Sequence, residues 1–334
     1  MDLHQRAYEL LRPITTDPDR YGVAIRRSAC GVTVVDCGVA AAGGFETGRI
    51  LAEVCLGGLG QVSFHPATTD GTAPSDGGEA CGPVGLATVQ VVTDAPVAAC
   101  LGSQYAGWKV SRGRYFAMAS GPMRAAGSRE TLLADLGLRV PADGTVGVLE
   151  ASALPPDEVC AALAADCGLP AETLVLLVAR TGSPAGLVQV VARSVEVALH
   201  KLVTLGFDVR QVRSGFGTAP LPPPTTDDGV ALGRTNDAIL YGGSVTLTVD
   251  GTADLADLAA AIPSVASPQF GRPFGEVFAA AGHDFFKIDT HLFSPAEIVL
   301  VGLKTGARVR CGGLRPDILA ESFGHVETVA PQRA

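Results

Sequence analysis

Aromatic residues, lysine and asparagine are scarce in this chain of 334 residues. Phe, Trp and Tyr make up 5% of it, so Val, Ala and Leu must fill the core that its 47% hydrophobic content provides. Lysine occurs only at Lys109, Lys201, Lys287 and Lys304, and asparagine only at Asn236, beside abundant Arg and 41 glycines. This bias fits a genome rich in G and C, so a single Arg carries little functional information. Positive charge is also lacking. The net charge of −9 excludes a general nucleic-acid or anionic-membrane binder. No run of about 18 apolar residues is present, which excludes a membrane-spanning helix. No N-terminal stretch has the charged start and apolar core of a signal peptide. The eight cysteines are scattered, and the closest pairs, Cys30/Cys37 and Cys160/Cys167, have neither zinc nor redox spacing. They are expected to be reduced thiols in a cytoplasmic protein without a metal site. Gly57-Gly58-Leu59-Gly60 ends a helix instead of opening one, so it is no dinucleotide fingerprint, and no phosphate-binding Gly-Lys-Ser/Thr loop occurs.

The strongest local signal is a helix from Ser183 to Leu202. Ser183 is a cap, Pro184 suits the first helical position, and Gly206 suits a left-handed stop. Val188, Val191, Ala192, Val195, Leu199 and Leu202 form a wide apolar face, and Leu187, Val190 and Val197 extend it, so the helix is expected to be mostly buried. One narrow polar stripe interrupts it: Gln189, Arg193, Glu196 and His200. Two readings stay open. The stripe is a solvent edge with an ion pair, or it is a cleft wall presenting Arg193 and Glu196 to a ligand. Arg preceding Glu opposes the helix dipole, which makes the pair a poor device for helix stability alone.

Strands alternate with helices along the rest of the chain, which indicates an α+β fold of mixed layers. Strands are expected at 32–38, 61–64, 84–93, 97–101, 145–151, 173–179, 209–213 and 244–249, and a hairpin at 296–311. Helices are expected over 1–20, 45–57, 156–167, 253–261, 273–281 and 315–323. Asp36 reads as a strand-end cap, residues 66–83 as a polar loop, Ser214–Thr218 as a glycine turn, and 325–334 as a frayed tail. No acidic residue occurs from Ala95 to Arg129, where Lys109, Arg112, Arg114, Arg124 and Arg129 give a local charge of +5. Within that stretch Ser120 and Gly121 stand at an expected helix start whose free N–H groups suit a phosphate or carboxylate. Thr235, Asn236 and Asp237 gather hydrogen-bonding groups at a second expected helix start. Capping or recognition of a pterin would account for them.

Seven blocks in order resemble one family. They are Val34-Val35-Asp36-Cys37-Gly38-Val39, Val54-Cys55-Leu56-Gly57-Gly58-Leu59, Cys100-Leu101-Gly102-Ser103-Gln104 with Ala106-Gly107-Trp108, and Tyr115 through Pro122. Thr235-Asn236-Asp237, Gly271-Arg272-Pro273-Phe274 and Asp284 through Asp289 complete them. The chain resembles the methenyltetrahydromethanopterin cyclohydrolases over nearly its whole length. Arg180 departs from members with Pro at that place. The resemblance implies reversible hydrolysis of 5,10-methenyl-tetrahydromethanopterin to the 5-formyl compound, without a metal or other cofactor. It also implies two α/β subdomains, about 1–150 and 151–324, flanking a deep cleft, and a homo-oligomer, often a homotrimer. The family's catalytic Arg and Glu fall on Arg193 and Glu196. Gln189, Ser120, Gly121, Lys109, Arg124, Thr235, Asn236 and Asp237 are the expected substrate contacts, with the basic residues facing an anionic tail. A pterin-binding module without catalysis is the alternative.

Overall fold

The computed structural model describes residues 2–66, 85–128, 130–251 and 254–324. Among them are strands β1 (Ala24–Arg27), β2 (Thr33–Asp36), β3 (Gln61–Pro66), β4 (Ala87–Thr93), β5 (Trp108–Arg112) and β6 (Tyr115–Ser120). The others are β7 (Thr145–Glu150), β8 (Leu174–Ala179), β9 (Val212–Pro220), β10 (Ser244–Val249), β11 (Glu297–Gly302) and β12 (Arg308–Gly312). They form two mixed six-stranded sheets, β1-β2-β8-β7-β6-β5 and β12-β11-β10-β9-β4-β3, giving the expected α+β fold. Each sheet takes strands from both sides of residue 150.

The first sheet is covered on both faces. Val34, Leu176 and Val178 pack on one side with Val159 and Leu163 of the Asp157–Asp166 helix. Val35, Val148 and Leu177 pack on the other with Leu11 and Ile14 of the Leu3–Thr16 helix and Leu51 and Val54 of the Phe45–Cys55 helix. Its central strands β2, β8 and β7 are parallel and read as near-continuous apolar runs, as a doubly covered parallel sheet requires. Asp36 ends β2 as a cap. Its two oxygens accept from the N–H groups of Gly38, Val39, Ala40 and Ala41 at 2.7–3.0 Å. Burial opposes its charge, yet these donors hold its pKa below the usual carboxylate value.

Among the described residues the second sheet is covered on one face only. Val62, Val91, Val245, Leu247, Ile298 and Leu300 pack against Leu187, Val191, Val195 and Leu199 of two central helices, Pro184–Val191 and Ser194–Thr204. On its other face one cross-strand row runs Gln61, Val92, Phe216, Thr246, Val299, Arg310, all exposed or half-buried.

Three expected elements differ. The strand expected at 209–213 starts only at Val212, because Val209–Gln211 is a 3-10 turn capped by Asp208. Residues 97–101 are not a strand but part of a π-type helical segment, Val97–Gln104. A short apolar run carries no periodicity that separates the two. The expected glycine turn at 214–218 is the middle of β9. A Cβ at Gly215 would lie 2.6 Å from Val195 Cγ1, and one at Gly217 2.5 Å from Ser194 Oγ. These glycines let a helix lie close on the sheet. The 66–83 loop, apart from Pro66, and the 325–334 tail lie outside the described residues.

Candidate active site

The central helix starts as its sequence dictates. Ser183 Oγ accepts from Gly186 N at 3.0 Å and Pro184 follows. It does not run unbroken to Leu202, however. Helical geometry stops at Val191 and resumes over Ser194–Thr204, with Ala192 and Arg193 at the junction. Gln104 Nε2 donates to Ala192 O at 2.9 Å, supplying that carbonyl with a partner from another element. The break places Arg193 at the mouth of the second helix and Glu196 in its first turn, where the dipole favours a carboxylate.

The stripe is not a solvent edge. Gln189 is 1% exposed, Arg193 6% and Glu196 4%. Arg193 donates to Gln189 Oε1 at 2.8 Å, to Ser120 Oγ at 3.2 Å and to the carbonyl of Gln104. Three elements thus converge on one guanidinium: the first central helix, the end of β6 and the Val97–Gln104 segment. All three acceptors are neutral, so the cation is fixed while its charge remains. Among the described residues no carboxylate pairs with it, and the Arg193–Glu196 ion pair of the solvent-edge reading is absent.

Among the described residues no hydrogen bond reaches Glu196 either. Burial pushes its pKa up to about 7, against the pull of Arg193 and then Arg124. A carboxyl balanced near neutrality suits taking and returning a proton. Two buried amide ends next to Arg193 lack partners among the described residues: Gln189 Nε2, a donor, and Gln104 Oε1, an acceptor. Their orientations follow from the Arg193 and Ala192 bonds that the opposite ends make. Unpaired buried groups of this kind call for a bound partner.

The other expected residues divide. Ser120 joins the Arg193 cluster, and Gly121, at φ +87°, turns the chain directly after it. The helix beyond them, Met123–Gly127, is only five residues long. Arg124 is fully buried and bound to Glu130 through two hydrogen bonds, 2.9 and 2.6 Å, so its cation is already matched. Lys109 is exposed on the edge strand β5, over the Phe116 ring. Thr235, Asn236 and Asp237 do not start a helix. They lie in the second half of the Asp228–Leu240 helix, which Asp227 caps. Thr235 and Asn236 bond back to the carbonyls of Ala231 and Leu232. Asp237 accepts from Phe274 N at 2.7 Å and Ser322 Oγ at 2.6 Å, and burial raises its pKa to about 7. That helix packs on the first central helix.

Sequence reasoning missed Gln104, whose carbonyl and amide hold both Arg193 and the helix break, although Gln104 stood inside one of the family blocks. It also missed Tyr105, whose ring stacks on His200 at 4.7 Å.

Comparison with known proteins places nearly the whole chain in one family. The family model described as "Cyclohydrolase (MCH)" matches residues 2–323. Proteins named methenyltetrahydromethanopterin cyclohydrolase are 44% identical in Xanthobacter autotrophicus, covering 94% of this chain and 90% of the relative. The protein of that name from Methylobacillus flagellatus is 41% identical over 97% and 95% of the two chains. The one from Methanospirillum hungatei is 38% identical over 98% and 100%. With a matched length that includes the Arg193–Glu196 break and both sheets, the chain belongs to the methenyltetrahydromethanopterin cyclohydrolase family.

Proposed function

We propose that the chain carries out the cyclohydrolase reaction of its family at Glu196, in a cleft between two α/β subdomains, one built on each sheet. The observation that carries this reading is a buried carboxyl at the start of a helix, free of hydrogen bonds among the described residues, beside a guanidinium fixed by neutral acceptors.

The methenyl bridge joins N5 and N10 as a delocalised cation, so its carbon is already electrophilic. The reaction neither oxidises nor reduces that carbon. The chemistry therefore asks for no redox cofactor and no Lewis acid, only a positioned water and a base. Water oxygen bonds to the bridging carbon as Glu196 takes one proton. The resulting carbinol breaks its C–N10 bond, the electron pair leaves with N10, and Glu196 returns the proton there. The carbinol O–H proton is released as the formyl C=O forms, so one cation and one water give a neutral formyl product and one proton. Arg193 holds Glu196 in its ionised form when substrate arrives, and Gln189 Nε2 donates to the polar edge of the pterin.

The composition supports a cytoplasmic bacterial enzyme that serves formaldehyde oxidation in one-carbon metabolism. The face of the second sheet that the described residues leave open, with Val92 and Phe216 at its centre, supports a homo-oligomer, with the trimer as the expected form.

Decay of the methenyl-tetrahydromethanopterin chromophore with purified protein tests the proposal. Wild type is expected to turn over, and Glu196→Gln to lose about 10² or more in kcat while still binding. Binding without turnover in the wild type would establish a carrier module instead.

A further inference from the structure

The acid-free stretch that begins at Ala95 ends, among the described residues, at Glu130, and this first carboxylate is spent on a single buried cation. Arg124 is 0% exposed. Its Nε and Nη2 donate to the two oxygens of Glu130, and its Nη1 donates to Leu101 O at 3.0 Å. Ser128 Oγ donates to Glu130 Oε1 at 2.7 Å and braces the carboxylate from behind. The guanidinium of Arg124 lies 5.1 Å from the centre of the Tyr105 ring. The other partner of that ring is His200, stacked at 25° and one turn beyond Glu196 on the same helix. A continuous column therefore runs Glu130, Arg124, Tyr105, His200 and ends beside the proposed base.

Gly107 makes the column possible. A Cβ there would lie 2.1 Å from Glu130 Oε2 and 2.5 Å from Tyr105 Cε1. A side chain there would displace the clamp or the ring.

We propose that Glu130 is a positioning residue for the cyclohydrolase reaction: it clamps Arg124, and through Arg124 sets both the Tyr105–His200 wall and the net positive charge that Glu196 faces. This inference rests on Glu196 being the base. The charged and titratable groups around Glu196 come from each element packed there. Arg193 and Arg124 act on it as cations, Tyr105 and Cys100 face it from the Val97–Gln104 segment and its end, and His200 follows on its own helix. Glu130 opposes the Arg124 charge at Tyr105 and at His200, the two rings between the clamp and Glu196. Burial and then the Arg124 charge keep His200 below its ordinary pKa, so the stacked imidazole stays neutral.

The test is the pH profile of kcat/KM for methenyl-tetrahydromethanopterin hydrolysis with Glu130→Gln and Gly107→Ala. Glu130→Gln leaves Arg124 uncancelled, which favours ionised Glu196. The acidic limb is expected to move about half a pH unit or more to lower pH, with kcat down about tenfold. Gly107→Ala drives the clamp apart without changing any charge and is expected to shift the limb the same way. A purely structural Glu130 would lower the melting temperature and kcat but leave the limb in place. That result in whichever variant folds overturns the proposal, as does failure of both to fold. Absence of turnover in the wild type would instead overturn the reading of Glu196 as base.

Discussion

Two buried arginines act on Glu196 and are treated in opposite ways. Arg124 meets a carboxylate in a two-bond clamp, its charge answered where it arises. Arg193 meets a carbonyl, a hydroxyl and an amide oxygen, all neutral. Hydrogen bonding is satisfied in both, but only Arg193 keeps its full field for its neighbours. The difference separates a cation answered by a carboxylate from one whose charge is left for Glu196. A buried charge without a carboxylate partner costs stability unless something uses it, and the group placed to use it is Glu196.

The largest effect should come from breaking the unmatched side. Arg193→Ala is expected to reduce kcat by about 10² or more in the chromophore assay, and Arg193→Lys should not restore it, because one ammonium cannot reproduce a planar fork held by three elements. On the matched side kcat is expected to fall only about tenfold, as for Glu130→Gln, and the larger effect should be one of stability. Arg124→Met leaves Glu130 without its cation and is expected to cost about 3 kcal/mol, read as a fall in melting temperature of several degrees. If Arg124→Met lowers kcat as far as Arg193→Ala at unchanged stability, the distinction between the two fails.

The pH dependence sharpens the comparison further. Glu196 has its pKa raised by burial to about 7, so its base form, and with it kcat/KM, should fall away as pH drops below about 7. Arg193→Gln removes a cation and should move that limb to higher pH, opposite in sign to Glu130→Gln. A raised carboxyl pKa also stabilises the fold at low pH, where the folded state holds the proton, and that contribution is lost as pH rises through about 7. Glu196→Gln should therefore raise the melting temperature relative to wild type more at pH 8 than at pH 5. A constant difference would mean that Glu196 is not buried as a carboxyl.

The smallest effect belongs to an arginine outside this contrast. Arg310 pairs with Glu297, but its side chain is 71% exposed. Arg310→Ala is expected to change stability by less than about 1 kcal/mol and kcat not at all. It lies at the rim of the open face of the second sheet, whose central positions Val92 and Phe216 are expected to lie within the oligomer contact. Val92→Glu with Phe216→Glu should lower the mass seen by light scattering.

The sequence determined much of the fold and part of the site. Strand runs such as Leu174–Ala179 and the Ser183–Pro184 start were legible because they depend on local pattern and capping. The stripe Gln189, Arg193, Glu196 was legible because helical spacing alone places those residues on one face. Only the tertiary structure decided what each arginine meets. The break at Ala192–Arg193 is matched by a side chain, Gln104, eighty-eight positions away in sequence. The Glu130 clamp turns an apparent anion site into a closed pair, and Gly215 and Gly217 serve helix packing where the local pattern read as a turn. Periodicity reports which residues share a face. Which partner answers a buried charge depends on distant elements brought within about 3 Å, and no local pattern carries that distance.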